Sequence, residues 1–149
     1  MLERNSKYLY KAKELLQEIK DAGSYAYIVG ESIRYLYLDV PLDYIEIFTV
    51  MTKDQTRRLL TDYGLLSESE HHLYYNLDGF RIRISFIKSL KFDRDKILNK
   101  YNIVKQSKET SYVLIEYLAS KYFTFDGLAI DENNMLHDYF GGKKDFKKH

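Results

Sequence analysis

The chain has 149 residues, 45% hydrophobic and 30% charged, with 23 basic against 22 acidic side chains, a formal net charge of +1 and no cysteine. That length suits one domain with a core, and no apolar run approaches the roughly 20 residues that span a bilayer. The missing cysteines exclude disulfides, thiolate catalysis and cysteine-ligated zinc or iron–sulfur centres, while the balanced charge gives no global field toward nucleic acid or an anionic membrane.

The opening stretch MLERNSKYLYKAKELLQEI is charged and lacks the apolar centre and small-residue cleavage site of a signal peptide, so a cytoplasmic location is expected. Leu9, Ala12, Leu15, Leu16 and Ile19 recur at helical steps and predict an amphipathic helix over 5–21 that stops at Gly23. YAYIV (25–29) reads as a strand ending at Gly30, and ESIRYLYL as a helix broken by Pro41. DYIEIFT (43–49) alternates as a strand, and a further helix is expected near 53–63.

HHLYYNLDGFRIRISFI (71–87) predicts a hairpin closed at Asp78–Gly79, with Phe80, Ile82, Ile84 and Phe86 on one face and Arg81, Arg83 and Ser85 on the other. Residues 88–108 are charged and aperiodic; a helix is expected over 109–121, then short strands in FTFDGLAID and MLHDYFGG, then a basic tail with Lys143, Lys144, Lys147 and Lys148. The order predicts an α/β fold around a mixed, mostly antiparallel sheet flanked by helices. Tyrosine occurs 15 times without tryptophan, a composition that suits half-buried sheet faces and also stacking or interface contacts.

The spacing of Val29, Gly30, Ile33, Arg34, Leu38, Pro41, Ile47 and Thr49 resembles the V-G-G-x-V-R-D … D-x-D-I-x-T signature of the head domain of class II tRNA nucleotidyltransferases and bacterial poly(A) polymerases, a branch of the polymerase-β-like nucleotidyltransferases. Further on, Phe123, Thr124, Leu128, Ala129, Asp138, Gly141, Gly142 and Asp145 fall in family positions, so the resemblance spans about residues 25–146. It implies that nucleotidyltransferase fold in a single head domain over 1–149, without the neck, body and tail domains that follow the head in that family. It also implies nucleotide-binding positions at Gly30, Ser32, Arg34 and Lys121.

The departures from the signature fall on the chemistry. Glu31 stands for its second glycine, Tyr35 for the acid of V-R-D, Tyr44 and Glu46 for the D-x-D pair, and Ser120, Lys121 and Tyr122 for R-R-D; Arg83 aligns with the third carboxylate. The family mechanism needs carboxylates on one strand face to bridge two Mg2+ ions. Here Glu46 is the one surviving ligand, Asp43 is an odd step away, and a guanidinium at position 83 would pair with Glu46 and repel a dication.

Two functions from different classes follow. One is a catalytically inactive head that binds a nucleoside triphosphate, RNA or a protein, the last against Tyr35, Tyr37 and Tyr44. The other is an active Mg2+-dependent enzyme in which Glu46 works with Glu31 or Asp43 in a rearranged site. Plainer readings stand beside these: Gly30 as a turn residue, Arg34 paired with Glu31 or Asp43, His71 and His72 as surface side chains, and the tail lysines as a solvated end. Sequence-indifferent RNA binding would need a continuous basic strip, which the balanced charge disfavours.

Overall fold

The computed structural model describes residues 2–86 and 128–138. Three helices, α1 (Glu3–Asp21), α2 (Glu31–Leu38) and α3 (Lys53–Leu59), accompany seven strands: β1 (Ala26–Val29), β2 (Ile45–Thr49), β3 (Gly64–Glu68), β4 (His72–Leu77), β5 (Phe80–Phe86), β6 (Leu128–Ile130) and β7 (Leu136–Asp138). They form one sheet in the order β3-β4-β5-β2-β1-β6-β7. Every pairing is antiparallel except β2 with β5, so the expected α/β fold with a mostly antiparallel sheet is present. The expected segment over 109–121, the residues 88–108 and the basic tail lie outside the described residues, as do Ser120, Lys121, Tyr122, Phe123, Thr124, Gly141, Gly142 and Asp145.

The hydrophobic spacing of the first helix is used as read. Tyr8, Ala12, Leu15, Leu16 and Ile19 are buried and join Ile28, Ile45, Ile47, Ile82 and Ile84 in one core cluster. Ile33 and Leu36 of α2 complete it beside β1 and β2. The hairpin is closed by Asp78 and Gly79, both at positive φ (53° and 88°), the geometry of a type I′ turn that favours an Asp–Gly pair.

Two elements differ from expectation. The helix expected near 53–63 ends at Leu59, after a capping box between Thr52 and Gln55. The chain then enters β3, an edge strand that the sequence pattern does not announce, because all five of its residues are exposed and no alternation marks it. Lys53 and Arg57 of α3 both pair with Glu68 and tie the helix to that edge.

Two side chains of α1 fasten the helix to the front of β2. Asn5 is fully buried; its Nδ2 donates to Val40 O at 2.7 Å, and its Oδ1 accepts from Leu42 N at 2.9 Å. The Tyr8 hydroxyl donates to Asp43 O at 2.8 Å and accepts from Arg81 N at 3.3 Å. Asn5→Ala would leave two main-chain groups without partners in the interior, at about 1–3 kcal/mol each. Urea unfolding should therefore show a loss of about 2–4 kcal/mol; a loss under about 0.5 kcal/mol, the range of ordinary surface changes, would mean that water replaces the amide.

Candidate functional site

Strand register assembles the site. Because β2 and β5 run parallel, Glu46 pairs with Arg83, and Arg83 in turn pairs with Tyr74 of β4. On the other side Glu46 pairs with Val29, the last residue of β1, just before the Gly30 turn. Laterally paired residues share a face of a sheet, and so do residues two apart on one strand. Tyr44, Glu46, Arg83 and Ser85 therefore meet on the face opposite the α1 core.

Glu46 is 4% exposed, and each of its carboxylate oxygens accepts a hydrogen bond. Oε2 accepts from Arg83 Nη2 at 2.6 Å, and Oε1 accepts from the buried Ser85 hydroxyl at 2.9 Å. The Arg83 guanidinium lies 4.9 Å over the centre of the Tyr44 ring, and its Nη2 also donates to the Tyr44 hydroxyl at 3.4 Å. Burial alone would lower the Arg83 pKa, but the hydrogen bond and charge of Glu46 outweigh it and leave the pKa raised. Burial, opposed by Arg83, pushes the Tyr44 hydroxyl up. Tyr44 is therefore a neutral phenol at neutral pH, where a metal-bridging site would need an anion.

The turn that starts α2 is fitted to this carboxylate. Gly30 sits at φ 75°, ψ −154° as the N-cap residue, a region open essentially to glycine. A Cβ at this position would come within 2.7 Å of Glu46 Oε2, so the carboxylate occupies the space that the missing side chain leaves. The buried Ser32 hydroxyl accepts from Glu46 N at 2.9 Å. Its neighbours in the candidate set are more open: Glu31 is exposed in the first turn of α2, Arg34 is half-buried one turn on, and Asp43 is exposed ahead of β2.

These residues do not fit a pair of Mg2+ ions. Bridging two dications takes more than one carboxylate on a strand face, whereas the neighbour of Glu46 on that face is Tyr44 and a guanidinium lies at hydrogen-bond distance from one Glu46 oxygen. Among the described residues no group of three or more Asp, Glu, His or Cys side chains could hold a metal ion. His71 and His72 are both half-buried, and His71 pairs with Glu70. Sequence reasoning anticipated the Glu46–Arg83 pair. It missed the second anchor, Ser85, although strand alternation from Arg83 pointed to it, and it missed that Ser32 is spent on the Glu46 main chain.

The sheet order and the strand–glycine–helix unit that backs Glu46 define a nucleotidyltransferase fold. The homologues of the chain are CCA-adding enzymes. The enzyme of Streptococcus uberis is 26% identical over 147 residues, covering 93% of this chain and 33% of its own. Two solved structures superpose on it: the Bacillus stearothermophilus CCA-adding enzyme in complex with CTP, with a TM-score of 0.67 at 19% identity, covering 93% of this chain and 31% of that one, and the Thermotoga maritima CCA-adding enzyme complexed with tRNA, with 0.68 at 21%, covering 95% and 31%. No family model matches the chain. The resemblance to a class II tRNA nucleotidyltransferase head thus holds in sequence and fold, over about a third of the length of the curated relatives it matches.

If Arg83 is what compensates the buried carboxylate, Arg83→Met should cost about 3 kcal/mol or more, because it leaves an uncompensated charge in the interior. The double variant Arg83→Met/Glu46→Gln should regain most of that loss in urea unfolding. Equal losses in the single and double variants would show that the pair does not hold this part of the sheet.

Proposed function

We propose that the chain is a nucleotidyltransferase-like domain that binds a nucleotide or RNA and does not perform metal-dependent nucleotidyl transfer. The observation that carries this reading is the closure of Glu46 by Arg83 and Ser85. In a site built for transfer, that carboxylate would be free to bridge metal ions. Here its charge is neutralised by a side chain of the same sheet.

Binding has independent support. The N-terminus of α2 follows the Gly30 turn and carries no side-chain cap, although Ile33 N donates to Gly30 O and Glu31 lies in the first turn; main-chain N–H groups at a helix N-terminus attract phosphate. Arg34 stands on the same short helix. Solved neighbours of the fold hold CTP and tRNA, which makes nucleotide and RNA the first ligand classes to try. A protein partner would find an exposed anchor in Tyr37. Among the described residues no helix is long and apolar enough to cross a membrane, and the reading assumes a cytoplasmic setting.

The competing reading, an active enzyme using Glu46 with Glu31 or Asp43, requires Arg83 to leave the carboxylate when Mg2+ arrives. Thermal unfolding with ATP, CTP, GTP and UTP, each with and without Mg2+ or Mn2+, separates the two. A ligand at 100 times its Kd adds about 2.7 kcal/mol, a shift of several degrees for a domain of this size. The expected result is stabilisation by nucleotide or by a short RNA that metal does not enhance. Stabilisation that needs nucleotide and metal together, with nucleotide incorporation abolished in Glu46→Ala, would establish the enzyme instead.

A further inference from the structure

We infer that a cup beside the Glu46–Arg83 pair is a nucleobase subsite selective for guanine; the inference rests on the binding reading above and names its ligand. The cup has a volume of about 210 Å3 and is lined by Asp43, Tyr44, Leu66, Tyr74, Arg81 and Arg83, among others. Drug-sized ligands occupy pockets of about 300–1,000 Å3, so this space suits a single planar ring system.

Its walls are stacking surfaces. Tyr44, just ahead of β2, and Tyr74 of β4 lie on either side of β5, and the Arg83 guanidinium from β5 lies 4.9 Å over the centre of the Tyr44 ring. Aromatic and guanidinium planes together are the usual platform for an unpaired base. The register shift between Leu65 and Ser67 in β3 sets Leu66, 56% exposed, at the rim.

The polar groups discriminate. Asp43 and Arg81 are both exposed, and among the described residues neither side chain is in an ion pair, although Tyr8 clamps their main chains through one hydroxyl. Two opposite charges are thus held close in the sequence of the sheet without cancelling each other. Arg83 also lines the cup, and its hydrogen bonds to described residues run through Nη2. A carboxylate beside guanidinium groups matches guanine, which offers O6 and N7 as paired acceptors for arginine and N–H donors for a carboxylate. Adenine has no such acceptor pair; cytosine has one in O2 and N3 with an N4–H donor beside it, but its single ring offers less surface to stack.

Calorimetric titration without metal, using GMP, AMP, CMP and UMP as probes, tests this. GMP should bind about tenfold or more tighter than the other three, in line with the roughly 1–3 kcal/mol that one bidentate base contact discriminates. Arg81→Met and Asp43→Asn, both at exposed positions, should each remove that preference, while Arg58→Met on α3 should leave it unchanged. Binding of all four nucleotides alike, or a GMP preference that survives both variants, overturns the cup and leaves the broader binding reading standing. No binding by any nucleotide or short RNA overturns both.

Discussion

The parallel pairing of β2 with β5 is the constraint on which the site depends. It sets Glu46 opposite Arg83, and everything chemical about that face follows from their contact. In an antiparallel sheet a hairpin could have joined neighbouring strands directly, but a parallel pair needs a crossover. Here α3, β3 and β4 intervene between the two strands in sequence. The long connection lets a buried acid and its counterion come from distant parts of the chain, fixed by main-chain hydrogen bonds rather than by flexible loops.

That contact also explains the tolerance of a buried acid. An ionised carboxylate in the interior costs several kcal/mol after relaxation unless it is paired and hydrogen-bonded. Glu46 has a cation on one oxygen and a hydroxyl on the other, and the Gly30 turn leaves room for it. The same glycine therefore has two physical reasons to be there: a left-handed φ and the absence of a Cβ against Glu46 Oε2. A phosphate-binding turn would ask for the first of these, and the closed pair adds the second.

Much of this was legible from the residues. The helical spacing of α1, the strand–glycine–helix unit and the Asp78–Gly79 hairpin come from local rules, and local rules apply within one element. The Glu46–Arg83 pair was reachable because strand alternation put Arg83 on the face opposite the aliphatic residues and the resemblance suggested its neighbour. β3 was not reachable: an edge strand whose every residue is exposed carries no period-two signal. Nor was the clamp made by Tyr8, since a tyrosine at a core position of an amphipathic helix reads as packing. Its hydroxyl meets Asp43 and Arg81 only after the helix is laid across two strands remote in sequence.

The charges on this face divide into those that neutralise each other and those that do not, and the division follows burial. Glu46 and Arg83 meet where water is excluded, so separation would be costly and the pair is closed. Asp43 and Arg81 stand at the exposed end of the same two strands, where solvation leaves each charge stable alone. Nucleotidyl transfer would require the reverse, with free carboxylates at the centre of the site and cations directed to the triphosphate around them. The arrangement at Glu46 instead sets a guanidinium at hydrogen-bond distance from the carboxylate and 4.9 Å over the Tyr44 ring. One arginine on β5 thus meets both the surviving acid, Glu46, and the tyrosine that stands where its partner acid would be, Tyr44.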